Sequence, residues 1–142
     1  DMRARGTITG LTRGANRAHL VRAALESIAF QSAEVLRTME KDTQAHIPQL
    51  RVDGGAAANN LLLQIQADLL NTPVVRGKTL ETTALGAAFL AGLAVGFWPD
   101  QPTIAQQWQV DRIFEPAWEE SKRQAALAGW NDAVARTYSS RK

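Results

Sequence analysis

The 142-residue sequence contains no cysteine. That excludes a disulfide framework, thiolate metal sites and a cysteine nucleophile, and it suits a cytoplasmic setting. There is also no apolar run long enough to span a bilayer. The most apolar stretch, Ala84 to Trp98, is too short and is interrupted by Gly86, Gly92 and Gly96. No membrane partner is expected. The start reads DMRARG with no apolar segment behind it, so no secretory signal is visible. Gly/Ser or Pro-rich linkers, low-complexity tracts and internal repeats are missing too. Charge of one sign is nowhere massed, and the net charge is only +2. Binders of the phosphate backbone cluster Lys and Arg on one face, so no nucleic-acid partner is expected either. His19 and His46 stand alone, without metal-ligand spacing. No Ser/His/Asp set and no credible pair of carboxylates appears. Hence no catalytic and no metal-ligating residue is assigned within the chain.

What is present reads as an ordinary folded domain. Hydrophobic residues make up 45% and charged residues 21%, near the globular average. The length suits one domain with one core. The chain opens with Asp1 rather than Met, which suits a piece of something longer.

Gly6 to Leu11, β-branched between glycines, predicts a strand, and Arg13-Gly14 a turn. Asn16 is placed to cap a helix from about Arg17 to Lys41. Val21, Leu25, Ile28, Val35 and Met39 recur at helical spacing along it, and Arg22 can pair with Glu26 on its outer face. His19 is expected to face solvent or cap the start of this helix. A short strand follows at Leu50 to Asp53, then a helix from about Ala58 to Asn71 with Leu62, Ile65 and Leu69 inward, stopped by Thr72-Pro73. Val74-Val75 is another short strand. The helix from about Thr83 to Val95 is apolar on nearly every side, which predicts burial. Arg112 to Glu115 reads as an edge strand, and Trp118 to Tyr138 as a last helix. Alternating strands and helices predict an α/β layer with some parallel pairing. The strands are few and short for a doubly covered sheet. Trp98, Trp108, Trp118 and Trp130 are expected to be packing anchors.

The most informative local feature is Val52-Asp-Gly-Gly-Ala-Ala-Ala-Asn-Asn60. A strand ends, two glycines follow, and a helix begins. Glycine lets the backbone turn through positive φ and lets a ligand come close. A helix start offers free N–H groups to a phosphate, and Asn59 or Asn60 could add an amide. Read alone, such a turn is more often simply a turn. It is neither a Walker A loop nor a GxGxxG fingerprint. Asp53 could touch a magnesium–phosphate group or cap the next turn, and spacing does not choose between them.

The strings say more than the spacing. Ala4 to Gln31, ARGTITGLTRGANRAHLVRAALESIAFQ, resembles the signature of the FGGY carbohydrate kinases in its glycerol kinase version. LRVDGGAAANNLLLQIQADLL at Leu50 to Leu70 resembles the family's adenosine-side motif, and TTALGAAFLAGLAVGFW at Thr82 to Trp98 its buried late helix. GLTRG at Gly10 to Gly14 and the GLAVGFW ending favour the glycerol kinases over the pentulose and gluconate kinases. The resemblance runs from about Arg3 to Tyr138 and is least distinctive over Pro99 to Gln109.

It implies an actin-like, ribonuclease-H-like ATPase fold, with residues 1–142 forming the later half of the C-terminal, nucleotide-binding domain. It also implies ATP, with Mg²⁺ in the complete enzyme, as the nucleotide. Gly55 and Asn59 match the family's nucleotide contacts, and Gly54 and Ala56 line the same turn. Glycerol, its binding residues and the catalytic aspartate would belong to chain upstream of Asp1. The piece by itself would then be inactive, and a homo-oligomer is expected. Two alternatives stay open: another FGGY sugar kinase, or a non-catalytic actin-like nucleotide-binding module.

Overall fold

The computed structural model describes residues 1–138. In chain order these form α1 (Arg17–Thr43), β1 (Leu50–Val52), a 3₁₀ turn (Gly55–Ala58), α2 (Asn60–Leu70), β2 (Val74–Gly77), α3 (Thr82–Ala94), α4 (Gln101–Ala105), β3 (Val110–Phe114) and α5 (Glu120–Ala135). The sheet runs β1-β2-β3, with β1 parallel to β2 and β3 antiparallel to β2. A parallel pair needs a crossover, and α2 supplies it.

α2 is the centre of the molecule. Seven of its 11 residues are buried: Leu62, Leu63, Ile65, Gln66, Ala67, Asp68 and Leu69. One side packs on the sheet, where Leu63 and Ala67 meet Val74 and Phe114. The other side meets α1 and α5, where Leu62, Ile65 and Leu69 meet Ala29, Ala33 and Leu127. Polar groups inside this layer are mostly tied, although the buried Gln66 Oε1 has no partner among the described residues. The Asp68 carboxylate accepts from the Ala117 N–H at 2.7 Å and from the Gln64 amide at 3.1 Å. Arg37 donates to the Leu69 carbonyl at 3.3 Å, near the end of α2. α2 stops at Asn71, which takes the left-handed conformation with φ 55°.

α1 begins as its sequence predicts. The Asn16 Oδ1 accepts from the Ala18 and His19 N–H groups, and His19 Nδ1 accepts from the Asn16 N–H at 3.2 Å. His19 therefore takes the place that Glu or Gln fills in a capping box. Arg22 pairs with Glu26 at 2.6 Å. At the other end, Glu40 accepts from the Ile47 N–H at 2.8 Å and pairs with His46 at 2.9 Å. The Ile47 N–H is the main cause that holds the Glu40 carboxyl below its usual range.

Three expectations are corrected. Gly6 to Leu11 forms no strand, because no described strand lies beside it to supply a ladder. The apolar stripe of α1 is not its packed face: Val21, Ile28, Val35 and Met39 are each about half exposed, while Ala29 and Ala33 are fully buried. Small residues let α2 approach closely on that side, and the larger ones turn away. α3 is the third. Only its Gly92 is buried, and Leu90 is 69% exposed. Apart from the Thr82 hydroxyl, which bonds Asp53, its tight contact is local, where the Trp98 ring lies on Gly92 and meets Phe89 and Phe97 edge-on. Nothing among the described residues covers the rest of the helix.

The other Trp residues also anchor packing. Trp130 stacks on Phe30 with centroids 5.0 Å apart and donates to Glu34, and Trp118 joins the α2 cluster. Trp108 lies beneath the Arg51 guanidinium. No described helix is long and apolar enough to cross a membrane. Uncovered apolar faces and short sheet edges drive association. The chain on its own is therefore expected to self-associate at micromolar concentration, through edge pairing or element exchange. Sedimentation velocity checks this, and a well-folded monomer would contradict it.

Candidate functional site

Because β1 and β2 run parallel, their carboxyl ends open on the same edge of the sheet. Ligands of open α/β sheets lie beyond that edge. Two loops meet there: Asp53 to Asn59 after β1, and Lys78 to Glu81 after β2. They are tied twice. The Gly54 N–H donates to the Leu80 carbonyl at 2.9 Å, and the Thr82 hydroxyl at the start of α3 donates to the Asp53 carboxylate. This contact is neither of the two roles the sequence left open for Asp53, since it ties one loop to the other. Among the described residues no three His, Asp or Glu side chains converge.

The two glycines answer to different constraints. Gly54 has φ +80°, a conformation other residues adopt only with strain. Gly55 has no positive φ, and a Cβ built on it meets no atom within 4 Å. Nothing in this chain's own packing requires glycine at 55. The turn continues as a 3₁₀ turn, with the Ala57 N–H donating to the Gly54 carbonyl at 3.0 Å. Ala57 plugs into the core, while Gly55 and Ala56 remain exposed. The turn is thus anchored from below and open above.

Asn59 holds the start of α2. Its Oδ1 accepts from the Leu61 N–H at 3.0 Å and the Leu62 N–H at 3.2 Å. This corrects the expectation that the helix start offers free donors to a phosphate, since the Asn59 cap takes two of them. The amide nitrogen of Asn59 takes no part in this cap. Asn60 is committed elsewhere: its Oδ1 accepts from Arg76 at 2.9 Å. The structure therefore places Gly54, Gly55, Ala56 and Asn59 along one turn, with the Asn60 side chain, though exposed, tied to Arg76.

Arg76 is the residue that sequence reasoning missed. It sits opposite Val52 on β1 and Arg112 on β3, and Nη1 also donates to the Ala57 carbonyl at 2.9 Å. A cation in a short strand that otherwise reads Val-Val is the signal that could have found it, because a charge among apolar neighbours needs a partner.

Residues 1–95 match the C-terminal domain of the FGGY family of carbohydrate kinases. The chain is 59% identical over 137 residues to a glycerol kinase of Dechloromonas aromatica, a match that covers 96% of the chain and 27% of that protein. It is 57% identical over 136 residues to a glycerol kinase of Caldanaerobacter subterraneus, covering 96% of the chain and again 27% of the relative. The chain thus spans about a quarter of the length of these curated relatives. Among solved structures, it superposes on Plasmodium falciparum glycerol kinase with ADP at a TM-score of 0.85 and 35% identity, over 98% of the chain and 28% of that one. A ligand-bound xylulose kinase of Lactobacillus acidophilus follows at 0.76 and 29%, over 95% of the chain and 28% of that one. The α/β arrangement is that of an actin-like ATPase domain.

Proposed function

Because the chain belongs to the FGGY family of carbohydrate kinases, we propose that it is the later half of the nucleotide-binding domain of an ATP-dependent glycerol kinase. The observation that carries this reading is its close similarity to glycerol kinases along almost its whole length. In such an enzyme a glycerol hydroxyl loses its proton to a base and attacks the γ-phosphorus of ATP. An O–P bond forms to glycerol, the bond to the ADP oxygen breaks, and glycerol 3-phosphate leaves. Little covalent work falls to the protein, so most of the rate comes from positioning and charge neutralisation.

This chain's share is on the ATP side. Gly55 leaves room for the nucleotide against the backbone. The Asn59 amide nitrogen donates to the adenosine or an inner phosphate. Gly54 and Ala56 shape the rim, and the Asp53–Thr82 contact holds the two loops together. The magnesium ion required by phosphoryl transfer would arrive bound to the ATP phosphates. Glycerol and the base would be supplied by other parts of the enzyme.

The test is a coupled ADP-release assay on the full-length protein that carries this chain, with glycerol, xylulose and gluconate as acceptors. Turnover with glycerol is expected. Turnover confined to another acceptor would move the assignment to a different FGGY kinase, and ATP binding without turnover on any acceptor would leave only a nucleotide-binding module. The chain alone is expected to give no glycerol-dependent ADP release above a no-protein blank, since on this reading the general base lies in another part of the enzyme.

A further inference from the structure

On the assignment above, we propose that Arg76 is a positioning residue for the nucleotide: it clamps the 3₁₀ turn so that Gly55 and Asn59 stand at the height the nucleotide needs. Arg76 lies at the carboxyl end of β2. Its register partner is Val52, which packs in the cluster between sheet and α2 with Leu50, Val74 and Phe114. Directly opposed residues share a face of a sheet, so Arg76 points toward α2, and its side chain is only 13% exposed.

Each of its contacts has a defined direction. Nη1 donates to the Ala57 carbonyl and to the Asn60 side-chain oxygen, both at 2.9 Å. Ala57 lies two residues after Gly55, and Asn60 directly follows Asn59. One guanidinium therefore grips the turn on both sides of Asn59 and two residues beyond Gly55. The guanidinium is itself held from behind. Nε pairs with Asp111 at 2.6 Å, and the Phe114 ring lies beneath it with its centroid 5.6 Å away.

The partner carboxylate is supplied by an irregularity of the sheet. Arg76 pairs with Arg112 and Gly77 with Val110, so Asp111 is the extra residue of a bulge. A regular strand would alternate Asp111 onto the face opposite Arg112. The bulge re-aims it at Arg76 instead. A chain of contacts thus runs from β3 through Arg76 to the open rim.

The experiment is made in the full-length protein, with KM for ATP, KM for glycerol, kcat and melting temperature measured together. Arg76→Met should raise the KM for ATP about tenfold while the KM for glycerol stays within about twofold. Arg76→Lys should recover part of the loss, because one ammonium can reach the Ala57 carbonyl but cannot fork to Asp111 as well. A purely structural role would lower the melting temperature and the active fraction without separating the two KM values. That outcome would overturn the proposal.

Should Arg76→Met not fold, Arg76→Lys and Asn60→Ala decide. Asn60→Ala removes one clamp point on an exposed residue and should raise the KM for ATP about threefold. Unchanged values for both would also overturn it. Gly55→Val, run alongside, separates the two levels. If it raises the KM for ATP and the Arg76 variants do not, the nucleotide assignment stands and the clamp is wrong. If it too has no effect, the nucleotide assignment itself fails.

Discussion

Replacing Gly55 with Val in the full-length protein is expected to raise the KM for ATP by roughly one to two orders of magnitude and to leave the KM for glycerol nearly unchanged. The reasoning is steric. A side chain at 55 meets nothing within 4 Å in the protein itself, and the backbone there is not in the left-handed region. The substitution should therefore cost little folding stability. It instead fills the space into which a nucleotide would come, and forcing extra methyl groups into an occupied volume costs about 1–3 kcal/mol, or roughly 5- to 150-fold in affinity. Gly54→Ala should do the opposite. Its positive φ makes any Cβ strained, so about 1–2 kcal/mol of stability is lost, with only a secondary effect on ATP.

Asn59→Asp isolates the amide. It keeps an oxygen for the Leu61 and Leu62 N–H groups, so the helix cap survives, but it removes the amide donor and should weaken ATP binding by about two- to tenfold or more. The readouts are both KM values and a melting curve. A stable Gly55→Val protein with both KM values unchanged would mean that the turn is structural only.

The second large effect is on folding. Leu69 is fully buried on α2, among Ala29, Ala33, Ile65 and Leu127. Leu69→Ala should cost about 2–5 kcal/mol, because the small residues of α1 have little side chain with which to refill the cavity. Leu61→Ala, on the same helix but 42% exposed, should cost well under 1 kcal/mol. Urea titrations of both variants check the contrast. Similar midpoints would mean that α2 is not the central packing element.

Local chemistry made much of this legible beforehand. The Asn16 cap, the Arg22–Glu26 pair, the inward Leu62, Ile65 and Leu69, and the strands around Val52 and Val74 each follow from a few neighbouring residues. The Gly-Gly turn could be located, but the sequence could not say which asparagine would be tied to another strand. That depends on Arg76, 16 residues beyond Asn60, reaching back to Asn60 rather than Asn59. The errors share one cause. Periodicity shows that a helix has an apolar stripe, not what lies against it. For α1 the larger stripe reads first, yet Ala29 and Ala33 carry the close packing. For α3 the composition demands cover that the described residues do not supply. Whether Gly6 to Leu11 pairs as a strand depends likewise on a neighbour.

The excursion carrying α3 and α4 leaves the sheet and returns through a narrow neck. At its base the Lys78 N–H donates to the Gln109 carbonyl at 2.9 Å, and the Lys78 ammonium meets the Gln109 side chain at 3.1 Å. A loop pinned at its mouth communicates its length to the rest of the molecule only through closure entropy. That grows logarithmically, by about 0.6 kcal/mol for each doubling. Residues can thus be gained or lost beyond the neck without shifting the register of β2 against β3. The stretch from Leu80 to the first turn of α3 is denied this freedom, since the Leu80 carbonyl holds the Gly54 N–H and Thr82 is knotted to Asp53, and any slack there would pass directly to the glycine turn.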